Sequence, residues 1–202
     1  MENLSFVKII EQGFKIGLKN FLTILTAFIL WLLTCWIPYL NIGTTIGLFI
    51  GVVVEMSKGN IVSPLKIFDK IYRKRMGEVL LTGVLINLSV LTGLIAGIIP
   101  AIVFSIAWGF AAILVIDKEM DFSKAIAESN RLTYGKKWNI FGAYFFFILL
   151  IFMVSLIFLL IFRALNLPLG ITIFLGIIIL MIYIVVFMGM EAHIYSEISK
   201  NI

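Results

Sequence analysis

Catalysis needs acids, bases, nucleophiles or metal ligands within reach of one another, and this sequence offers few of them. The single histidine, His193, stands near Glu191 and Tyr195 in the stretch EAHIYSEI. A histidine beside a carboxylate can serve as a general base. With no nucleophile nearby, it reads instead as an interfacial residue just beyond an apolar run. Asp117 and Glu119 close another apolar run and read as the start of a solvated loop. The single cysteine, Cys35, cannot form an internal disulfide and reads as a small buried packing residue. One cysteine and one histidine leave no metal site of the zinc-finger type. No Gly-rich phosphate loop, HExxH helix or nucleophile elbow appears. The expectation is a protein that is not an enzyme, with no catalytic residue, no metal and no cofactor.

Charges inside apolar runs would mark an ion or proton route. Glu55, Arg163 and Glu191 all fall near the ends of such runs, which argues against proton-coupled transport. The most central strongly polar residue is Asn87, with Ser89 and Thr92 nearby. It is expected either to hydrogen-bond across helices or to line a polar pore. Small residues recur at helical spacing: Gly43, Gly47 and Gly51 in one run, Gly93 and Gly97 in the next, and Ser105, Gly109 and Ala112 in a third. Such spacing lets helix backbones approach closely, so these glycines are expected to pack helices, within the chain or between chains.

The elements that must carry these residues follow from composition. Of 202 residues, 62% are apolar and 13% charged. A charged share near 25% is usual for a soluble domain. Soluble enzymes, nucleic-acid-binding domains and disordered chains are thereby excluded, and no nucleic-acid partner is expected. At about 20 residues per span the apolar residues supply about six spans. The expected fold is all-α, a single integral membrane domain over 1–202. Its spans lie at about 21–39, 42–56, 79–99, 101–116, 140–162 and 169–190. The second is short and is either a span or re-entrant. The first has no signal-peptide features and reads as a retained span. Fifteen of the sixteen basic residues fall on one side of this arrangement, and only Arg163 on the other. The positive-inside rule then places both termini in the cytoplasm.

Pro38, Pro100 and Pro168 are expected at three short outer turns, each following a span that is itself preceded by a basic amphipathic stretch. The result is three hairpins with cytoplasmic surface helices. The first surface helix, 4–19, sets Phe6, Ile9, Ile10, Phe14 and Leu18 against Lys8, Glu11, Lys15 and Lys19. The second, 63–75, has Ser63 as cap and Pro64 at its first position. Its Leu65, Ile67, Phe68, Ile71 and Tyr72 oppose Lys66, Lys70, Arg73 and Lys74. The third begins at Asp121 and pairs Glu128 with Arg131. These helices are either connectors that cover the bundle or a lipid or partner site. The window 58–78 nets +4, while 1–20 and 117–138 each net +1. Lys66, Lys70, Arg73 and Lys74 are therefore the candidate contacts to anionic headgroups.

At DFSKAIAESNRLTYGKKWNIFG, residues 121–142, the chain resembles a bacterial family of six-helix integral membrane proteins related to the membrane domain of some glycerophosphoryl diester phosphodiesterases. The matching residues are Asp121, Ala125, Ser129, Leu132, Gly135 and Trp138. Phe68–Asp69, Pro100 and Tyr195 also fit. Pro100–Ala101 stands where the family has Pro-Gly. The resemblance implies a six-helix fold and no activity. The functional expectation is a non-catalytic inner-membrane scaffold or accessory protein that engages anionic lipid or a partner. The alternative is a small oligomeric channel or carrier. Partners would be membrane lipids, a second copy, or another membrane protein.

Overall fold

In lipid every backbone polar group must be satisfied within the protein, and this chain meets that demand with helices. Helix makes up 85% of the described residues, among which no strand occurs. The computed structural model describes residues 4–201. Helices α1 (Phe6–Lys19) and α2 (Phe21–Leu33) meet at Asn20 with a bend of 66°. After a turn at 34–37, α3 (Pro38–Ile46) runs through a single π-helical stretch, Gly47–Gly51, into α4 (Val52–Ser57). A 3-10 turn (Pro64–Phe68) and the short α5 (Lys70–Lys74) precede α6 (Met76–Ala96). Then come α7 (Ile98–Trp108), α8 (Ala111–Asp117), α9 (Phe122–Thr133), α10 (Lys137–Ala164) and α11 (Leu169–Ile198).

Five stretches are long and apolar enough to cross a membrane: Pro38–Ser57, Met76–Ala96, Ile98–Asp117, Lys137–Ala164 and Leu169–Ile198. The bent α1–α2 pair makes a sixth if it counts as one span. These are the helices of a multi-pass membrane protein. The stretch expected at 42–56 proves long enough, because Pro38 opens its helix four residues earlier. The stretch expected at 21–39 is shorter than anticipated, because α2 ends at Leu33.

The first helix keeps most of its charged face exposed but packs through small residues as well as large apolar ones. It packs antiparallel along the second half of α11, Gly13 meeting Met190 and Gly17 meeting Val185 and Val186. The backbones nearly touch. A methyl group on Gly17 would lie 2.5 Å from the Val185 carbonyl oxygen, and one on Gly189 would strike the Gly13 carbonyl oxygen. Ile9, Gly13 and Gly17 form the buried side of α1, while Glu11, Lys15 and Lys19 stay exposed and Lys15 pairs with Glu11 at 2.6 Å. Phe14 and Phe147 meet edge to face beside this crossing. Small residues thus replace the hydrophobic driving force that lipid removes between helices.

The turns differ in part from the proline reading. Pro38 starts α3 and Pro168 caps α11. Pro100, however, is the third residue of α7, where a missing N–H costs nothing. The chain reverses at Gly97, whose φ of +135° and ψ of 166° strongly favour glycine. Gly97 is therefore a turn residue and not a packing residue. Gly93 does pack: a methyl group there would lie 2.9 Å from the Ala101 backbone. Gly109 sits at the break between α7 and α8, so it does not continue a small-residue face. Ser129 of α9 fills that break, its hydroxyl donating to the Ala107 carbonyl at 2.8 Å and accepting from the Phe110 N–H at 3.3 Å. Cys35 lies exposed in the α2–α3 turn, not buried.

Burial gathers at one end of the molecule. Val52–Val54 and Met56 of α4, Ala111 and Ile113–Ile116 of α8, and Met188–Tyr195 of α11 are packed there, Glu191 only partly. The distal parts of α10 and α11 are almost wholly exposed and apolar, and α10 reaches a mean hydropathy of 3.3 with only 11% of that window buried. That surface suits a hydrocarbon environment.

The α1–α11 crossing generates the first prediction. Gly189→Ala should lower thermal stability in detergent by about 1–3 kcal/mol, as overpacking does. Gly77→Ala, where a methyl group meets nothing within 4 Å, should be neutral or stabilising. Equal melting of the two variants would contradict the crossing.

Candidate functional site

Four elements converge at the buried end, and their charges are paired. The Lys58 ammonium lies 3.0 Å from the Asp117 carboxylate, which also accepts from the Tyr195 hydroxyl at 2.8 Å. The Asp117 side chain is only 9% exposed. Lys118 adds a longer contact at 3.8 Å. Arg75 donates to the Glu119 carbonyl at 2.7 Å and to its carboxylate at 3.2 Å. Glu119 holds a positive φ of 50° there. Of the two acids expected to start a solvated loop, Glu119 is exposed there, whereas the Asp117 side chain is largely buried and joins α8 to α11 and to Lys58 at the end of α4. Asp121 precedes α9 but makes no side-chain cap bond. Glu78 takes that part, accepting from the Phe122 N–H at 3.0 Å. His193 is buried within the protein, at 7% exposure.

Residues 61–75 form a strap and not one amphipathic helix. Ser63 makes no side-chain cap bond, and Pro64 opens a 3-10 turn. The backbone then extends at Asp69, ψ 138°, before α5. The Asp69 carboxylate accepts from the Ile71 N–H at 3.3 Å and pairs with Lys66 at 3.2 Å, so it starts α5. Burial pushes the Asp69 pKa up, but the Ile71 N–H, the Lys66 ammonium and the Lys70 N–H together outweigh it and hold the group below its ordinary range. Upstream, the Val62 N–H donates to the Asn20 side chain at 3.1 Å, and Thr23 donates to the Val62 carbonyl at 2.9 Å. The strap is thus tied to the α1–α2 bend.

The glycine face of Pro38–Ser57 is the seat of this strap. A methyl group on Gly47 would lie 2.6 Å from the Ile67 carbonyl oxygen, and one on Gly43 would lie 2.6 Å from Cγ of Arg73. One on Gly51 would run into the Tyr72 phenol. Tyr72 is 2% exposed. Burial, with the charges of Asp69 and Glu55 nearby, raises its hydroxyl pKa well above the ordinary tyrosine range. Three glycines in register therefore receive a loop of their own chain.

The strap divides the four candidate cations. Lys66 is paired, 3.2 Å from Asp69 and 3.8 Å from Glu55. Arg73 is half-buried over Gly43 and donates to the Phe68 carbonyl at 3.3 Å. Lys70 and Lys74 are exposed, and neither makes an ion pair among the described residues. Ile61 and Leu65, both exposed, lie on the same segment. Two ammonium groups beside two apolar side chains are what an interfacial surface requires.

Asn87 lies elsewhere, on a side-open groove of about 560 Å³ between α3, the π-helical stretch and α6. The groove is lined mainly by apolar side chains, including Phe49, Ile50, Val84 and Leu91. The Asn87 amide donates to the Gly83 carbonyl of its own helix at 2.8 Å rather than across helices. A contact not anticipated from sequence joins α10 to α11, where the Tyr144 hydroxyl donates to the Glu191 carboxylate at 2.5 Å. Among the described residues no three His, Cys, Asp or Glu side chains gather as a metal site would need.

Comparison of the chain with family profiles, curated proteins and solved structures finds no match. Of the residues quoted for the family resemblance, some have structural duties here, while Asp121 and Trp138 are exposed. Ala125 and Leu132 are buried, Ser129 fills the α7–α8 break, Gly135 turns with a φ of +75°, and Tyr195 holds Asp117.

Gly47→Leu should unseat the strap. Trypsin should then cut after Lys70 and Lys74 at least tenfold faster than in the unaltered protein, while Gly83→Leu, in open space, should leave the rate unchanged. An unaltered digestion rate in Gly47→Leu would show that the strap does not depend on this face.

Proposed function

We propose that the chain is a non-catalytic scaffold or accessory protein of the bacterial inner membrane that engages anionic headgroups through Lys70 and Lys74. The observation that carries this reading is the rigid seating of the strap. It presents two uncommitted ammonium groups next to exposed Ile61 and Leu65. Lys66 and Arg73 then act inward: Lys66 holds Asp69 and Glu55, and Arg73 covers Gly43. The basic residues' distribution supports a cytoplasmic position for this face and for both termini. The resemblance to the six-helix family fits the same reading. The apolar, side-open character of the groove past Asn87 favours a scaffold over a small oligomeric channel or carrier.

Each exposed cation near an anionic surface contributes about 1 kcal/mol. The double variant Lys70→Gln/Lys74→Gln should therefore bind anionic nanodiscs roughly thirtyfold more weakly than the unaltered protein. The difference should shrink at high salt, because the charges are exposed. Lys66→Gln should instead lower thermal stability and leave headgroup preference in place. Unchanged binding by the double variant, with normal melting, would eliminate the headgroup role.

A further inference from the structure

We infer that α6 is the contact face for a second copy of this chain, joined by reciprocal hydrogen bonds between the two Asn87 side chains. This inference is independent of the lipid reading and starts from the position of one amide. Asn87 lies eleven residues after Met76 and nine before Ala96, so it stands about 15 Å from either end of α6. It is exposed, and its one hydrogen bond among the described residues is the donation to Gly83 in its own helix. The carbonyl oxygen and the second N–H therefore face outward at mid-span. Hydrocarbon offers neither donor nor acceptor, and leaving such groups unmet there is costly.

The chemistry of the amide selects the occupant. A carboxamide carries one acceptor and a donor pair, so it is its own complement. Around a two-fold axis each Asn87 donates an N–H to the carbonyl oxygen of the other. A two-fold contact uses the same patch on both molecules, as this requires. The backbone permits the approach. Gly83 is one turn away on the same face, and a methyl group there would meet nothing within 4 Å. Leu80, Val84 and Leu91 flank the amide and are exposed. The adjoining groove of about 560 Å³ can receive the apolar side chains of the second α6. An acyl chain would fill the groove but would leave the amide unmet. Small residues with a central polar residue are the usual adhesive between helices in lipid.

The test uses the full-length protein in native membranes with Cys35→Ser, which removes the exposed native thiol. Leu91→Cys and Thr92→Cys are compared under oxidation. Both positions are exposed and at nearly the same depth, but they point about 100° apart. The inference expects a disulfide-linked product of dimer mass from Leu91→Cys and at least fivefold less from Thr92→Cys. Adding Asn87→Leu should cut the Leu91→Cys product several-fold, and Asn87→Gln should restore it. Melting of the Asn87→Leu protein as a detergent monomer should be unchanged, because within its own chain the exposed amide bonds only to its own helix among the described residues. Equal products at 91 and 92, a product of any mass other than the dimer, or a yield insensitive to Asn87→Leu would each overturn the inference.

Discussion

Close approach of backbones at glycine is the constraint on which the rest of this structure depends. Lipid supplies no hydrophobic force between helices, so they associate where their surfaces can come nearest. Gly13, Gly17 and Gly189 set α1 against α11, and Gly43, Gly47 and Gly51 receive the strap. The α1–α2 bend follows the first contact directly, at Asn20. The bend then holds the strap through Asn20, Thr23 and Val62. The two glycine faces are thus mechanically linked, and the exposed lysines lie at the end of that linkage.

The polar joint at the buried end follows from the same arrangement. Glu55, Lys58, Asp117 and Tyr195 come together because α4, α8 and α11 converge there. A buried charge is tolerated when paired and hydrogen-bonded. Asp117 meets both conditions, with Lys58 on one oxygen and Tyr195 on the other. The joint is structural, and it withdraws Lys58 from the cations that could reach a headgroup.

Much of this fold can be read from hydropathy alone. The five span-length stretches, the hairpin between α6 and α7, and the Glu128–Arg131 pair are all in view, since apolar runs and i, i+3 spacing are local signals. The packing of α1 is not. Glycine adds almost nothing to a hydrophobic face, so Gly13 and Gly17 do not register beside the more conspicuous Phe6, Ile9, Phe14 and Leu18. The four-residue spacing of Gly13 and Gly17 was the available clue. The strap reads as one helix in sequence because its apolar and basic residues alternate at helical period, but the chain leaves that helix at the 3-10 turn opened by Pro64 and again at Asp69. The partners of Asp117 and Glu191 come from elements 78 and 47 residues away in sequence, and no local pattern announces such pairs.

The central claim is that residues 61–75 are folded down onto the glycine face and do not float in the headgroup layer as a separate amphipathic helix. Amide hydrogen exchange of the protein in nanodiscs tests it directly. Because Val62 donates to Asn20 and Arg75 donates to Ile71, both amides should be strongly protected. Gly47→Leu should abolish the Val62 protection. Val62 exchanging as fast as a free loop in the unaltered protein, or staying protected in Gly47→Leu, would contradict the account.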